Sequence, residues 1–463
     1  MVRAKFFART ALGLALAMGV AAGGASAPAI AKEQKAEAPK ITLSKGFMPA
    51  YVAAKTALDA AGKRQNVIDG RAAVTAAEGT YRSAQGRAAR DAARTKYDEA
   101  IAALGTVVAT ENQVIENAFA AATTPDDKFV AGQLGLTLGQ LSYDKKTQRR
   151  GLQAMVDSGK VSAADAAKFS YYIGGLAFDM RDYAGARAAF QSAIAAGYTE
   201  GGIDGLLADA FISDNQPAEG LKVLSAAVAK RGAAAPEDWI RKGIVVSYKA
   251  KLAPEAIGFS TKLVEGYPTK DNWSLAIAVV RDMSQFQNQE QLDLMRLMER
   301  TGSWSEARDY FEYIQAADPR RLPAEALKII ELGIASGKLQ ASDVSVSDAR
   351  TVASGRIAAD KASLVGLERD ARAATANAAT AMAGGDAYLS YGQAAKAEEL
   401  YQLALTKPGA DTPRLLTRLG IAQTDLGKSA EAQATFAKVT GLRAPIAALW
   451  SAYAKSKAAA PAQ

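Results

Sequence analysis

Apolar residues recur at steps of three and four along most of this 463-residue chain, which is the spacing of one face of a helix. The period begins at Phe47 and continues through Tyr51, Ala54 and Leu58. Prolines number only 14, alanine dominates, and no segment is rich in alternating β-branched residues. This pattern favours helix over sheet throughout and predicts an all-α protein.

Internal repetition is the most informative part of the pattern. Three positions at Ala186, Phe190 and Ala193 recur 34 residues later as Gly220, Leu224 and Ala227. Such a period is typical of two-helix units that cannot bury their apolar faces alone and therefore stack on one another. The sequence predicts a solenoid of helical hairpins.

In residues and register these units resemble the tetratricopeptide repeat family. The first runs over about 167–200 with Ile173, Gly174 and Tyr183 in register, and the second over about 201–234 with Leu207, Ala208 and Phe211. The others carry these residues in register: Gly243, Ala256, Leu263 and Pro268; Leu294, Met298, Gly302, Trp304, Ala307, Phe311 and Pro319; Tyr388, Gly392, Ala397, Tyr401 and Ala404; and Leu416, Leu419, Gly420, Gly427, Ala432 and Phe436. The resemblance implies a binding scaffold with a concave groove and no catalysis of its own.

The sequence also predicts how the chain divides into segments. The expected segments are a signal peptide at 1–31, a linker at 32–43, an alanine-rich helical region at 44–160, repeats at 161–340, an irregular helical linker at 341–375, a repeat pair at 376–445 and a tail at 446–463. Whether 44–160 holds degenerate repeats or a separate bundle stays open.

The N-terminus has the order of a secretory signal. A basic segment with Arg3, Lys5 and Arg9 precedes an apolar segment at 11–20, and small residues follow. Cleavage is expected after Ala31, because cleavage after Ala27 would leave Pro28 directly behind it. The apolar segment is about half as long as a membrane span, so an uncleaved anchor is disfavoured. The sequence therefore predicts a periplasmic or secreted protein.

Composition narrows the chemistry. The chain has neither cysteine nor histidine, which removes thiolates, disulfides, the commonest metal ligand and the usual general base. Its net charge is +8, and the signal carries three of these charges. The remaining excess is mild, without a basic run, and does not favour nucleic-acid binding. No cofactor and no metal are expected.

Three fragments resemble catalytic motifs, and each has a simpler explanation. Gly427-Lys428-Ser429 lacks the upstream glycine and the strand of a phosphate-binding loop. Ser142 and Lys145 have the serine-x-x-lysine spacing of penicillin-recognising enzymes, and the Ser-Asp-Asn run at 213–215 resembles a second motif of those enzymes. Their third motif, lysine-threonine-glycine, does not follow in this sequence. Paired carboxylates at 126–127 and 398–399 are explained by helix capping and solvated faces. A hydrolase is therefore the least favoured class.

The family resemblance places the first helix of each hairpin on the concave surface. Transferred to this sequence, the groove residues are Lys168, Tyr171, Asp179, Asp209, Arg241, Tyr248, Lys249, Arg296, Arg300 and Arg414. Basic residues outnumber acids in this set. The hypothesis is a groove for a protein or peptide partner bearing an acidic segment or a chain-terminal carboxylate. The alternative is a structural envelope protein that self-associates through open repeat ends.

Overall fold

The computed structural model describes residues 41–459. The predicted signal peptide, most of the predicted linker and the last four residues lie outside this range. Within it, all regular structure is helical, with 22 α-helices and two short 3-10 turns. The all-α prediction is confirmed. No helix between residues 41 and 459 combines the length and apolarity that crossing a membrane requires.

The chain divides into two compact units, with the boundary between Gln216 and Pro217. The helices of the N-terminal unit are α1 Met48–Ala61, α2 Gln65–Ser83, α3 Arg87–Val107, α4 Ala109–Ala121, α5 Pro125–Ser142, α6 Lys145–Asp157, α7 Ala163–Asp179, α8 Tyr183–Ala195 and α9 Ile203–Ser213.

The C-terminal unit holds the remaining thirteen helices. They are α10 Pro217–Arg231, α11 Glu237–Lys249, α12 Ala253–Gly266, α13 Lys270–Met283, α14 Asn288–Thr301, α15 Ala307–Ala317, α16 Pro323–Ala335, α17 Val344–Arg372, α18 Ala378–Ser390, α19 Ala394–Leu405, α20 Thr412–Asp425, α21 Ser429–Phe436 and α22 Ala444–Ala459.

A glycine opposite an aromatic ring sets the close approach of the two helices in four hairpins, α7–α8, α11–α12, α18–α19 and α20–α21. In each hairpin the ring belongs to the residue sixteen positions after the glycine, and a Cβ on the glycine would lie within 3.0 Å of it. The pairs are Gly174 with Phe190, Gly243 with Phe259, Gly385 with Tyr401, and Gly420 with Phe436. The missing side chain lets the ring of the second helix sit against the backbone of the first.

The turns inside the hairpins need one residue in the left-handed conformation. Gly392 and Gly427 take it with φ of 70° and 75°, as a turn glycine should. In α7–α8 and α11–α12 the same conformation is adopted by Arg181 and Lys251, with φ of 62° and 55°. The hairpin geometry is therefore kept even where the sequence offers no glycine.

Two predictions about the second half are wrong. The segment expected to be an irregular linker is one continuous helix of 29 residues, α17, because it contains no proline and its two glycines lie in open space. The segment expected to be a tail forms helix α22, in which Ile446, Leu449 and Trp450 are fully buried. Helix α22 packs against α12, α13 and α14 as well as α20 and α21, so it belongs to the core of its unit.

Candidate functional site

Asp293 of α14 lies at the centre of a buried ion-pair network in the C-terminal unit. Its carboxylate accepts hydrogen bonds from Arg296 Nη1 at 3.0 Å and from Arg418 Nε at 3.1 Å. Arg443, in the 3-10 turn before α22, donates its Nη1 to the same carboxylate. All four side chains are shielded from solvent. Buried charges require this kind of pairing, because the cost of dehydrating them is large.

Two further carboxylates complete the network. Glu325 of α16 accepts two parallel hydrogen bonds of 2.7 Å from Arg296, and the hydroxyl of Tyr313 donates a third to the same carboxylate. Asp386 of α18 accepts from Arg418 Nη1 at 2.6 Å. Two-pronged arginine–carboxylate bonds of this kind are the strongest and most directional ion pairs in proteins.

The charges of the arginines decide the protonation of these acids. Burial alone would raise the pKa of Asp293, but Arg418, Arg443 and Arg296 outweigh it and lower that pKa to about 2. Burial likewise opposes ionisation of Glu325, yet the charge and hydrogen bonds of Arg296 lower its pKa to about 2. Both acids are therefore ionised at neutral pH, and neither is suited to proton transfer there.

A cleft of about 520 Å³ opens at one edge of the network. It is lined by Gln287, Asn288, Gln289, Glu290, Asp411, Arg414 and Arg443. We call it the Arg414 cleft. Its wall comes from the start of α14, the start of α20 and the turn before α22, which are brought together only in the folded unit.

Arg414 is unusual among the residues of this cleft. Its Nη2 donates to the amide oxygen of Gln289 at 2.6 Å and lies 3.8 Å from Asp386, whereas its Nε is buried without a hydrogen-bond acceptor among the described residues. Burial, followed by the charge of Arg418, lowers the pKa of Arg414 to about 10. The surroundings of this guanidinium thus hold too little negative charge.

The structure corrects two predicted groove residues of α14. Arg296 is 1% exposed and fully engaged by Asp293 and Glu325, so the expectation that it faces a partner is wrong. Arg300 is held by Asp425 at 2.8 Å, and its guanidinium carbon lies 5.9 Å from the centre of the Trp450 ring. The family resemblance placed both on the concave side, and in this unit α22 packs against the helix that carries them.

The predicted groove residues of the N-terminal unit are not gathered into one open surface. Lys168 is exposed, and Asp179 forms an ion pair with Lys145 at 2.6 Å. Tyr171 is buried with its ring 4.9 Å from that of Tyr198, and Asp209 is buried as well. These two side chains contribute to packing, whereas the prediction placed them on a surface that faces solvent.

Three predicted groove residues do share an open surface, along α11. Arg241, Tyr248 and Lys249 lie on one side of the helix together with Val245, which is outside the predicted set of groove residues. Val245 is 51% and Tyr248 40% exposed. We call these four residues the open face. The exposed valine could have been found from the sequence, because it stands four residues after Arg241 and three before Tyr248.

Side chains of α11 itself and of α13 order part of the open face. The Nε of Arg241 donates to Glu237 at 2.8 Å, and its Nη2 donates to Asn272 of α13. The hydroxyl of Tyr248 donates to Asp282 at 3.2 Å. The arginine and the tyrosine are thereby held in place, whereas Lys249 extends into solvent.

The fragments that resemble catalytic motifs have structural roles. The hydroxyl of Ser142 is buried and donates to the carbonyl of Leu138, while Lys145 is paired with Asp179. Lys428 is paired with Glu398 at 2.7 Å. Serine and lysine at 142 and 145 therefore do not form the nucleophile–base pair that their spacing could suggest.

No family model matches this chain, and no curated protein matches its sequence. Solved structures that align with it include a tetratricopeptide repeat protein from Parabacteroides merdae, at 10% identity over 64% of this chain and 99% of that one, with a TM-score of 0.28. Naa15/Naa10 bound to HypK-THB aligns at 13% identity over 86% of this chain and 70% of that one, with a TM-score of 0.20. The human IFIT1 dimer with m7Gppp-AAAA aligns at 14% identity over 79% and 96%, also with a TM-score of 0.20.

The predicted resemblance to tetratricopeptide repeats is confirmed as a resemblance of fold. It rests on the helical hairpins, on their glycine–ring contacts and on the left-handed turn residues.

Proposed function

We propose that this chain is an exported scaffold that binds a protein or peptide partner on the open face of α11. The observation that supports this proposal is the exposure of Val245 and Tyr248 beside Lys249 on one side of a single helix. Exposed apolar and aromatic side chains next to a cation are typical of the centres of recognition surfaces.

The chemistry of the open face defines the partner. An apolar side chain packed over Val245 and Tyr248 would exclude water from both. An acidic residue a few positions further along would reach Lys249, which is exposed, and Lys251 in the turn that follows. The partner is therefore a segment that combines an apolar anchor with a carboxylate, as the basic set of groove residues in the sequence suggests.

Placement of a crosslinkable residue tests the partner proposal. A photoreactive phenylalanine analogue at position 245 or 248 should give a discrete adduct in cells. Lys249→Glu should remove that adduct, and Lys249→Arg should keep it. The matched control position is Val365 of α17, which is 76% exposed and lies outside the open face. Equal adducts from 245 and 365, or adducts indifferent to Lys249→Glu, would refute the proposal.

The same experiment separates a partner from self-association. An adduct of twice the chain mass, together with a dimer by light scattering, would assign the open face to contacts between copies. A distinct heterologous adduct from a monomeric chain supports the scaffold.

Export is tested by the mass of the protein recovered from the cell envelope. The proposal expects a chain that begins at Lys32 after removal of residues 1–31, and periplasmic release by osmotic shock. A chain retaining Arg3 and Lys5, or one confined to the cytoplasmic fraction, would contradict it.

A further inference from the structure

The ion-pair network linked to Asp293 in the C-terminal unit contains more positive than negative charge. Its arginines are Arg296, Arg321, Arg414, Arg418 and Arg443, and its carboxylates are Glu290, Asp293, Glu325 and Asp386. Five cations thus face four anions, and Arg321 is the cation that is exposed to solvent. Every one of these arginines except Arg414 has a carboxylate oxygen within 3.4 Å, so the excess is located at Arg414.

Gln289 marks the place where the missing charge would sit. Its single amide oxygen accepts from Arg414 Nη2 at 2.6 Å, from Arg418 Nη2 at 2.8 Å and from Arg321 Nη2 at 3.0 Å. Three guanidinium donors converge on one neutral oxygen, which has only two lone pairs. Such convergence is typical of surroundings built for a carboxylate.

The Arg414 cleft gives a ligand access to this cationic position. Gln289 and Arg414 both line it, and the Nε of Arg414 is buried without an acceptor among residues 41–459. A buried donor without an acceptor is costly, and an entering oxygen atom would remove that cost. The cleft volume of about 520 Å³ accommodates a small organic molecule or the end of a peptide.

We propose that the Arg414 cleft binds a carboxylate group with a single negative charge, carried by a small organic acid or by the end of a peptide. The planar carboxylate would accept a hydrogen bond from the Nε of Arg414. It would also add a fifth negative charge opposite the five arginines. This site is independent of the open face of α11, and the two proposals can fail separately.

The acids around the cleft select for a single charge. Glu290 lines the wall beside Arg443, to which it is bound at 2.9 Å, and the exposed Asp411 caps the start of α20. One negative charge neutralises the excess at Arg414, and both acids would then repel the second charge of a dianion such as phosphate. The planar shape of a carboxylate also matches the planar donors of arginine, whereas a tetrahedral anion matches them less well.

Calorimetry on the full chain tests the site with defined probes. These are benzoate, a tetrapeptide with a free C-terminus, the same peptide as its amide, and inorganic phosphate, all at equal ionic strength. Binding of benzoate assigns a small organic acid. Binding of the peptide acid without benzoate or the amide assigns a peptide end. Binding of none of the carboxylates, or phosphate binding as tight as carboxylate binding, would overturn the proposal.

Two variants locate the binding. Arg414→Gln should lower the affinity for the carboxylate probe at least tenfold. Arg356→Gln, at an exposed position on α17, should leave that affinity unchanged. Gln289→Glu would supply the missing charge from within the chain. It should therefore raise the midpoint of thermal unfolding and abolish carboxylate binding. Unchanged binding by either cleft variant, or a lower midpoint for Gln289→Glu, would refute the site even if Arg414→Gln folds poorly.

Discussion

Arg418 and Asp293 are 125 residues apart in the chain, yet their side chains are bonded at 3.1 Å and neither is exposed to solvent. The pair joins α20 to α14, and Arg443 and Trp450 attach α22 to the same aspartate residue. The C-terminal helices of the unit are thereby fixed to α14, which lies near the middle of the unit in sequence. In a repeat array whose units contact only their neighbours, no such contact would be required.

Removing the charge of Asp293 should destabilise the C-terminal unit strongly. Asp293→Asn leaves Arg296, Arg418 and Arg443 buried around a neutral group, and breaking buried pairs in this way costs about 3–5 kcal/mol of unfolding free energy. Urea denaturation of the full chain measures this loss. Asp59→Asn is the matched control, because Asp59 is largely exposed and its ion pair within residues 41–459 is with the exposed Lys55. It should cost less than about 1 kcal/mol, and equal losses would contradict the role assigned to Asp293.

Acid should unfold the C-terminal unit below pH 4.5. Asp293 and Glu325 have folded-state pKa values of about 2, below their ordinary values of 3.8 and 4.5. An acid whose pKa is lower in the folded than in the unfolded chain stabilises the folded state at pH values above the unfolded pKa. This contribution is lost as the pH falls toward 2. Circular dichroism between pH 6 and pH 2 follows the transition. The Glu325→Gln variant takes up one proton fewer on unfolding. Its free energy of unfolding should therefore decrease less steeply as the pH is lowered. An identical slope in the variant would count against the assignment.

A methyl group at the hairpin glycines should destabilise the protein, although alanine is the better helix former. At Gly420 the added Cβ would lie within 3.0 Å of the Phe436 ring, and overpacking of this kind costs about 1–3 kcal/mol. Gly258 of α12 has open space at its Cβ position, so Gly258→Ala should stabilise by about 0.5–1 kcal/mol. Opposite signs in the denaturation midpoints are the expected result. In a double variant, Phe436→Leu should reduce the cost of Gly420→Ala; additive costs would contradict the contact.

Helix α22 should behave as core. Trp450 is fully buried, and its Nε1 donates to the carbonyl of Asp293 at 2.8 Å. Trp450→Ala is therefore expected to cost about 3–5 kcal/mol of unfolding free energy. Leu442, just before the helix, is 49% exposed, and Leu442→Ala should cost less than about 1 kcal/mol. Thermal unfolding of both variants makes the comparison, and a small loss for Trp450→Ala would restore the interpretation of this segment as a tail.

The local structure of this protein follows from its amino-acid sequence alone. Helical periodicity, small residues at the crossings and glycine at turns such as Gly392 and Gly427 are local signals, because each acts within one helix or one hairpin. The register of Gly174 with Phe190 and of Gly420 with Phe436 follows from these signals as well. The absence of cysteine and histidine also limited the chemistry before any fold was known.

Which surfaces remain open depends on contacts between helices that are distant in the chain. Arg296 and Lys249 look equivalent in the sequence, since both are cations on the first helix of a hairpin. One is buried among carboxylates from α14 and α16, and the other extends into solvent. That difference depends on partners distant in the chain that no local pattern specifies. Glu325 lies 29 residues after Arg296, and Arg418, which shares Asp293 with Arg296, lies 125 residues after that aspartate. Periodicity reports which face of a helix is apolar, whereas the position of a buried charge is fixed by partners distant in the chain, and the Arg414 cleft exists only where three such segments meet.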